Sequence, residues 1–205
     1  MSHDLPGTPL GEFLEALAAR TPTPGGGAVA GTSLATAAAI AHMALVFSQG
    51  RKSLAAFAEV HEKALTRLSD LKARGLELAA QDAAAYEQLN TLWKLPEDDP
   101  ERTRGWDDAV EAAIAAPRAV LGEAAELLAA LEGLVDATTP MLRSDLAVAA
   151  ITAEAAGRSA AWNIRINLPS VSDVARADAH RDDMTRLIDQ CRASAATVEA
   201  ACQAD

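Results

Sequence analysis

Aromatic residues are nearly missing from this chain of 205 residues: three Trp, three Phe and one Tyr make up 3% of it. Val, Ile, Thr and the aromatics, the usual strand formers, are too few to build a large sheet, so sandwiches, barrels and doubly wound folds are excluded as first readings. Cysteine is almost as scarce. Cys191 and Cys202 lie three turns apart on one helical segment, too far for a disulfide within that helix. The sequence starts Met-Ser-His-Asp with no charged-then-apolar leader, so a reduced, cytoplasmic protein is expected. Positive charge is the third shortage. Eighteen Lys and Arg stand against 29 Asp and Glu, a formal charge of -11, and this field repels polyanions, so bulk nucleic-acid binding is not expected. An anionic small molecule held by a few local Arg and Lys side chains remains compatible with it.

What fills the composition is alanine, roughly a quarter of all positions, far above its usual share. Alanine has the highest helix propensity and no side-chain entropy to lose, so the expectation is closely packed helices. The length suits one helical domain over 1–205.

Leu10, Phe13, Leu14 and Leu17 recur at helical spacing and predict a short amphipathic helix to about Arg20. Thr21-Pro-Thr-Pro-Gly-Gly-Gly27 stops it. An uncharged, alanine-rich run follows to about Ser48. Its length matches a membrane span, but Ala, Thr, Ser and His42 insert poorly and no second span or aromatic belt supports one, so a central helix covered on all sides is expected instead. Small residues at Gly27, Gly31 and Ala35 would let a neighbouring backbone approach closely.

The most regular stretch comes next. Leu54, Phe57, His61, Ala64, Leu68, Leu71, Gly75, Leu78, Asp82, Tyr86, Leu89 and Trp93 step by three and four, predicting one stripe on a helix of more than ten turns that ends near Leu95-Pro96. A helix from about Glu101 should kink or break at Pro117 and resume to Val135. Ser144 or Asp145 can cap another helix running to about Asn167, and Pro169-Ser-Val-Ser-Asp173 leads to a last one through about Cys202. The reading is an all-α, up-and-down bundle of about six or seven helices.

Chemistry could sit in three places. Asp82 is a carboxylate on a packing seam, where burial is costly unless the group is hydrogen-bonded, paired or partly wet. It reads equally as a boundary or capping residue and as a general base with a raised pKa, with Arg51 or Lys52 as a candidate partner. The glycine run is the second place: a helix start of this kind offers backbone N–H groups to anions or ligand carbonyls, though a hinge would look the same. No Lys-Ser/Thr follows it, and Gly25-x-Gly27-x-x-Ala30 has no preceding strand, so neither a P-loop nor a dinucleotide fold is read there. Third, Asp145, Thr152, Ser159, Asn163 and Asn167 fall near one face of their helix. Such a face suits either recognition of a heterocycle or hydrogen bonding across a dimer. His3, His42, His61 and His180 are scattered without metal-ligand spacing and read as packing or surface residues, so no metal site is expected.

Four stretches, in order along essentially the whole chain, carry a resemblance. These are Phe13-Leu14-x-x-Leu17 with Pro22-Thr-Pro-Gly-Gly-Gly27, Gln81-Asp-Ala-Ala-Ala-Tyr86 running to Leu95-Pro96, Ser144-Asp-Leu-Ala-Val-Ala-Ala150, and Asn163-Ile-Arg-Ile-Asn-Leu168. Together they resemble the cyclodeaminase/cyclohydrolase family, that of the C-terminal domain of formiminotransferase-cyclodeaminase and of bacterial methenyltetrahydrofolate cyclohydrolases. The resemblance implies an all-helical homodimer acting on a tetrahydrofolate derivative, with no bound cofactor or metal. It implies Asp82 as proton acceptor and folate contacts at Pro24, Gly25, Gly26, Gly27, Ser144, Asp145, Asn163 and Asn167. Arg51 and Lys52 are candidates for the glutamate or polyglutamate tail. Ala28 stands where the family often has serine, and Gln81 where it often has an acid. The alternative kept beside this reading is a non-catalytic folate-binding protein or dimeric helical scaffold.

Overall fold

The structure, a computed structural model, describes residues 7–203; His3 lies outside them. Among the described residues there are six α-helices and no strand: α1 (Leu10–Ala18), α2 (Gly26–Ser48), α3 (Ala58–Trp93), α4 (Pro100–Glu132), α5 (Arg143–Asn167) and α6 (Val174–Gln203). The all-helical expectation holds.

α2 packs mainly between α3 and α5, α4 closes the far side of that group, and α6 lies over α4 and α5. Direction follows from which residues meet. Gly27 abuts Asp82 while Gly31 abuts Gly75 and Ala79, so α2 and α3 are antiparallel. Gly26 abuts Asn163 and Ser48 Oγ accepts from the Thr139 N–H at 3.0 Å, so α2 and α5 are antiparallel too. The α2–α3 crossing is the tightest of these. A Cβ on Gly31 would come within 2.6 Å of the Gly75 carbonyl, and one on Gly75 within 2.8 Å of the Ala35 nitrogen. Two helices can approach this closely only where side chains vanish. The Leu and Ala faces of α2 to α6 form one continuous apolar core, whereas α1 is held by Phe13, which packs with Ala28 and Ala79 beside the start of α2.

The structure departs from the sequence expectations at four points. Leu54 and Phe57 belong to a 3-10 segment, Lys52–Phe57, and Leu54 is non-helical (φ -114, ψ 15), so α3 begins only at Ala58. Pro117 does not break its helix; α4 runs through it. A proline lacks the N–H that the carbonyl four residues earlier needs, and here that carbonyl, Ala113 O, accepts from Asn167 Nδ2 of α5 at 3.3 Å. Ser144 and Asp145 are not caps. α5 starts at Arg143 after a 3-10 turn, Pro140–Leu142, with no side-chain cap, and both residues fall within its first turn. Finally, α2 is not covered on all sides. It is long and apolar enough to cross a membrane, yet half of its apolar window is buried inside the protein. Val29, Ser33, Thr36, Ile40, Met43 and Phe47 form a half-buried to exposed stripe along the other half.

Candidate functional site

α2 begins without a capping side chain; Gly25 is extended (φ -137, ψ -155) and occupies the N-cap position. The first N–H groups of a helix have no partner within it and carry the positive end of its dipole, so this start, exposed at Gly26 and buried at Gly27 and Ala28, is suited to donate to a ligand. Three elements converge there.

From α3 comes Asp82. Its carboxylate packs directly on the Gly27 backbone, so closely that a Cβ at Gly27 would lie 1.9 Å from Oδ2. Burial pushes the Asp82 carboxyl up to about 6, from an ordinary 3.8. A carboxylate short of water and not neutralised by a cation holds its proton more tightly, which tunes it toward proton transfer near neutrality. Of the three glycines, Gly27 is the one Asp82 requires. A Cβ on Gly25 would meet only the Pro22 carbonyl at 3.9 Å, and one on Gly26 would touch Asn163 Oδ1 at an ordinary 3.5 Å.

From α5 come the two asparagines. Asn163 Nδ2 donates to Ser159 O at 3.0 Å, and Asn167 Nδ2 donates to Asn163 O at 3.0 Å besides Ala113 O. Asn167 Nδ2 spends both of its N–H groups on helix carbonyls and acts on the fold through α4, whereas Asn163 spends one on Ser159 O and holds its Oδ1 and Nδ2 beside Gly26. Asp145, Thr152, Ser159, Asn163 and Asn167 are all half-buried, as a polar strip in a helix crease should be.

The third element is the Thr21–Gly25 loop. Thr23 Oγ1 donates to Glu87 Oε1 of α3 at 2.9 Å, and Thr21 Oγ1 donates to Thr23 O at 3.0 Å. Pro24 follows a cis peptide bond. The sequence held no signal for the Thr23–Glu87 bond, because 64 residues separate its partners.

Other expected site residues are elsewhere. Arg51 and Lys52 lie exposed beyond the far end of α2, with Arg51 Nε donating to Phe47 O at 2.8 Å. At about 1.5 Å per residue, α2 holds them about 35 Å from the glycine run, so they do not pair with Asp82 of the same chain. Ser144 and Asp145 are at that far end as well, since α5 runs antiparallel to α2. A hollow of about 430 Å³ lined by Arg118, Glu123, Arg186 and Gln190 lies between α4 and α6, away from Asp82. His61 is buried and donates Nε2–H to Ala137 O at 2.7 Å, and His180 pairs with Glu111 at 3.1 Å. Among the described residues no three His, Cys, Asp or Glu side chains gather as a metal-binding group.

The chain is thus an antiparallel all-α bundle in which a glycine-opened helix faces a half-buried carboxylate. The chain belongs to the formiminotransferase-cyclodeaminase family, which matches it over residues 9–202. It is 30% identical to the formimidoyltransferase-cyclodeaminase of Sus scrofa over 93% of its own length and 36% of the relative's. It thus spans about a third of that protein. It is 27% identical to the methenyltetrahydrofolate cyclohydrolase of Methylorubrum extorquens, covering 86% of each chain. The crystal structure of formiminotetrahydrofolate cyclodeaminase from Thermotoga maritima superimposes with a TM-score of 0.89 at 26% identity, over 97% of both chains.

Proposed function

We propose that this protein is a folate one-carbon enzyme acting at the bridge carbon between N5 and N10. The observation that carries the reading is the Asp82 carboxyl held against the Gly27 backbone, with its pKa pushed up to about 6. The activities of its relatives support 5-formimino- or 5,10-methenyltetrahydrofolate as the substrate.

In the cyclodeaminase direction, N10 attacks the formimino carbon, ammonia leaves, and 5,10-methenyltetrahydrofolate forms. In the cyclohydrolase direction, water adds to the same carbon of the methenyl cation and the ring opens to 10-formyltetrahydrofolate. Both pass through a tetrahedral carbon, so one base suffices. Asp82 takes the proton from N10 or from the attacking water, a contribution of about 10²–10⁴-fold, and its charge stabilises the cationic bridge. The amides at the start of α2 and the Asn163 Oδ1 orient the pterin, which both donates and accepts hydrogen bonds. The reading includes a homodimer, supported by the uncharged outer stripe of α2. It also includes a cytoplasmic location and no bound cofactor or metal.

The test is a pair of assays: loss of methenyltetrahydrofolate absorbance, and ammonia release from the formimino compound. Absorbance loss establishes the hydrolase, ammonia release the cyclodeaminase. Folate binding with neither activity makes the protein a carrier, and no binding refutes the folate reading.

A further inference from the structure

α3 is longer than the helix it packs on. Gly75, Ala79 and Asp82 meet α2 at Gly31 and Gly27, so their steps of four and three mark the face of α3 turned toward α2. The next residue on that face is Tyr86. By that level α2 has ended: its first residue is Gly26, whereas α3 continues to Trp93, about 16 Å past Asp82 along its axis. α5 overshoots as well, by one turn, from Asn163 beside Gly26 to Asn167. The two longer helices flank a slot beyond the start of α2. Its base carries the α2 amides and the Asn163 amide, and Tyr86 stands on its α3 wall.

The chain that leads into α2 does not fill this slot. The Thr21–Gly25 loop is tied to the flank of α3, where Thr23 Oγ1 donates to Glu87 Oε1 at 2.9 Å. Tyr86 stays 41% exposed, on a stripe whose neighbours Leu78 and Leu89 are fully buried.

Aromatic side chains are scarce in this protein, and the others at this end are occupied. Trp93 stands edge-on to Trp106 with ring centroids 5.8 Å apart, and Trp106 is covered by Arg102 at 4.5 Å and donates Nε1–H to Ser170 O at 3.2 Å. Arg165 lies over Trp162 at 4.5 Å, and Phe13 is buried against Ala28 and Ala79. Among the described residues Tyr86 has neither an aromatic nor a cationic partner, and its hydroxyl makes no hydrogen bond. An uncovered ring one turn from Asp82 is a surface on which a flat ligand can stack.

We propose that Tyr86 is the stacking platform of the site, with the pterin flat against its ring and the bridge carbon at Asp82. Positions 82 and 86 are about 6 Å apart along the helix, a spacing that suits a bicyclic ring joined directly to the reacting carbon. The Asn163 amide selects between the two flat rings of a folate. A pterin edge both donates and accepts hydrogen bonds, as an amide does, whereas the edge of a p-aminobenzoyl ring presents only C–H groups. Placing the pterin here deepens the folate reading and rests on it.

The test compares Tyr86→Leu and Tyr86→Phe with the parent, using methenyltetrahydrofolate for turnover and 5-formyltetrahydrofolate, a stable relative, for calorimetric binding. Stacking acts in ground and transition states alike, so Tyr86→Leu should raise KM and the dissociation constant about tenfold with a far smaller effect on kcat. Tyr86→Phe, which keeps the ring, should restore both to within about threefold of the parent. Tm should move by no more than about 2 °C in either variant, and the acid limb of the pH–rate profile should stay in place, which a displaced Asp82 would not allow. As competitors, 6-methyltetrahydropterin should lose about as much potency against Tyr86→Leu as the substrate does, and p-aminobenzoylglutamate none. A Leu variant that binds as the parent does overturns the assignment. So does a Phe variant as impaired as Leu, which would make the hydroxyl the working group. A loss confined to p-aminobenzoylglutamate, or no competition by the pterin against the parent at millimolar concentration, overturns it too. A parent that binds no folate refutes the folate reading itself, and the pterin platform with it.

Discussion

Asp82 and Gly27 occupy one another's only available space: the carboxylate lies where any side chain at position 27 would have to begin. The atom in the way is the far end of a side chain, not backbone, so a larger residue can be accommodated by turning Asp82 aside. Gly27→Ala should therefore lower kcat by two orders of magnitude or more while moving Tm by only a degree or two. The contrasting pair is Gly31→Ala and Gly75→Ala. Their new methyl groups would meet backbone atoms at 2.6 and 2.8 Å, and helix separation would have to follow, with a stability loss of about 2–4 kcal/mol in urea unfolding.

The pH dependence of turnover should report Asp82. With its carboxyl pushed up to about 6, kcat/KM should fall tenfold per pH unit below that value and level off above it. Asp82→Asn should abolish turnover and leave folate binding largely intact. Unchanged turnover would remove Asp82 from the mechanism.

Stability should show the same group with opposite sign. A carboxyl whose pKa rises on folding binds its proton more tightly in the native state, so its contribution to stability declines as pH climbs from 3.8 through about 6. Asp82→Asn should thus stabilise the protein at pH 7–8 by about 2–3 kcal/mol, and the gain should vanish near pH 3.5. The comparison is between variant and parent across pH, because the chain's other acids titrate in both.

Asn167 should prove structural through a double-mutant cycle. Removing its amide leaves Ala113 O, the carbonyl orphaned by Pro117, without its donor, at about 1–3 kcal/mol. When Pro117→Ala restores the helix's own N–H, the Asn167→Ala loss should shrink by at least half. Equal losses in both backgrounds would show that the amide does not serve that carbonyl.

Much of this was readable in the sequence, for a physical reason. Helix positions follow from periodicity, which is local, and the ends of α1, α5 and α6 fall within a few residues of expectation. Asp82 stood out because a charge on an apolar seam breaks a local pattern. Relationships between helices were not readable. The bond from Asn167 to Ala113 O that serves the carbonyl left by Pro117 spans 54 residues, so the proline alone read as a kink or a break. Arg51 and Lys52 are near the glycine run in sequence, but the intervening residues form a straight rod that holds them apart. The open side of α2 was missed because a helix without Asp, Glu, Lys or Arg has no charged face to mark which side stays uncovered.

The uncharged character of α2 also bears on how the chain is made. About a hundred residues separate its end at Ser48 from the start of α5 at Arg143. At about 5–20 residues per second, a translating ribosome leaves α2 without that covering helix for roughly 5–20 s. During that interval it presents a helix-length apolar segment of the kind that membrane-targeting factors and chaperones bind. Early docking of α3 through the Gly31–Gly75 crossing is then the first protection the nascent chain has, which gives that contact a role in biosynthesis beyond its role in the finished bundle.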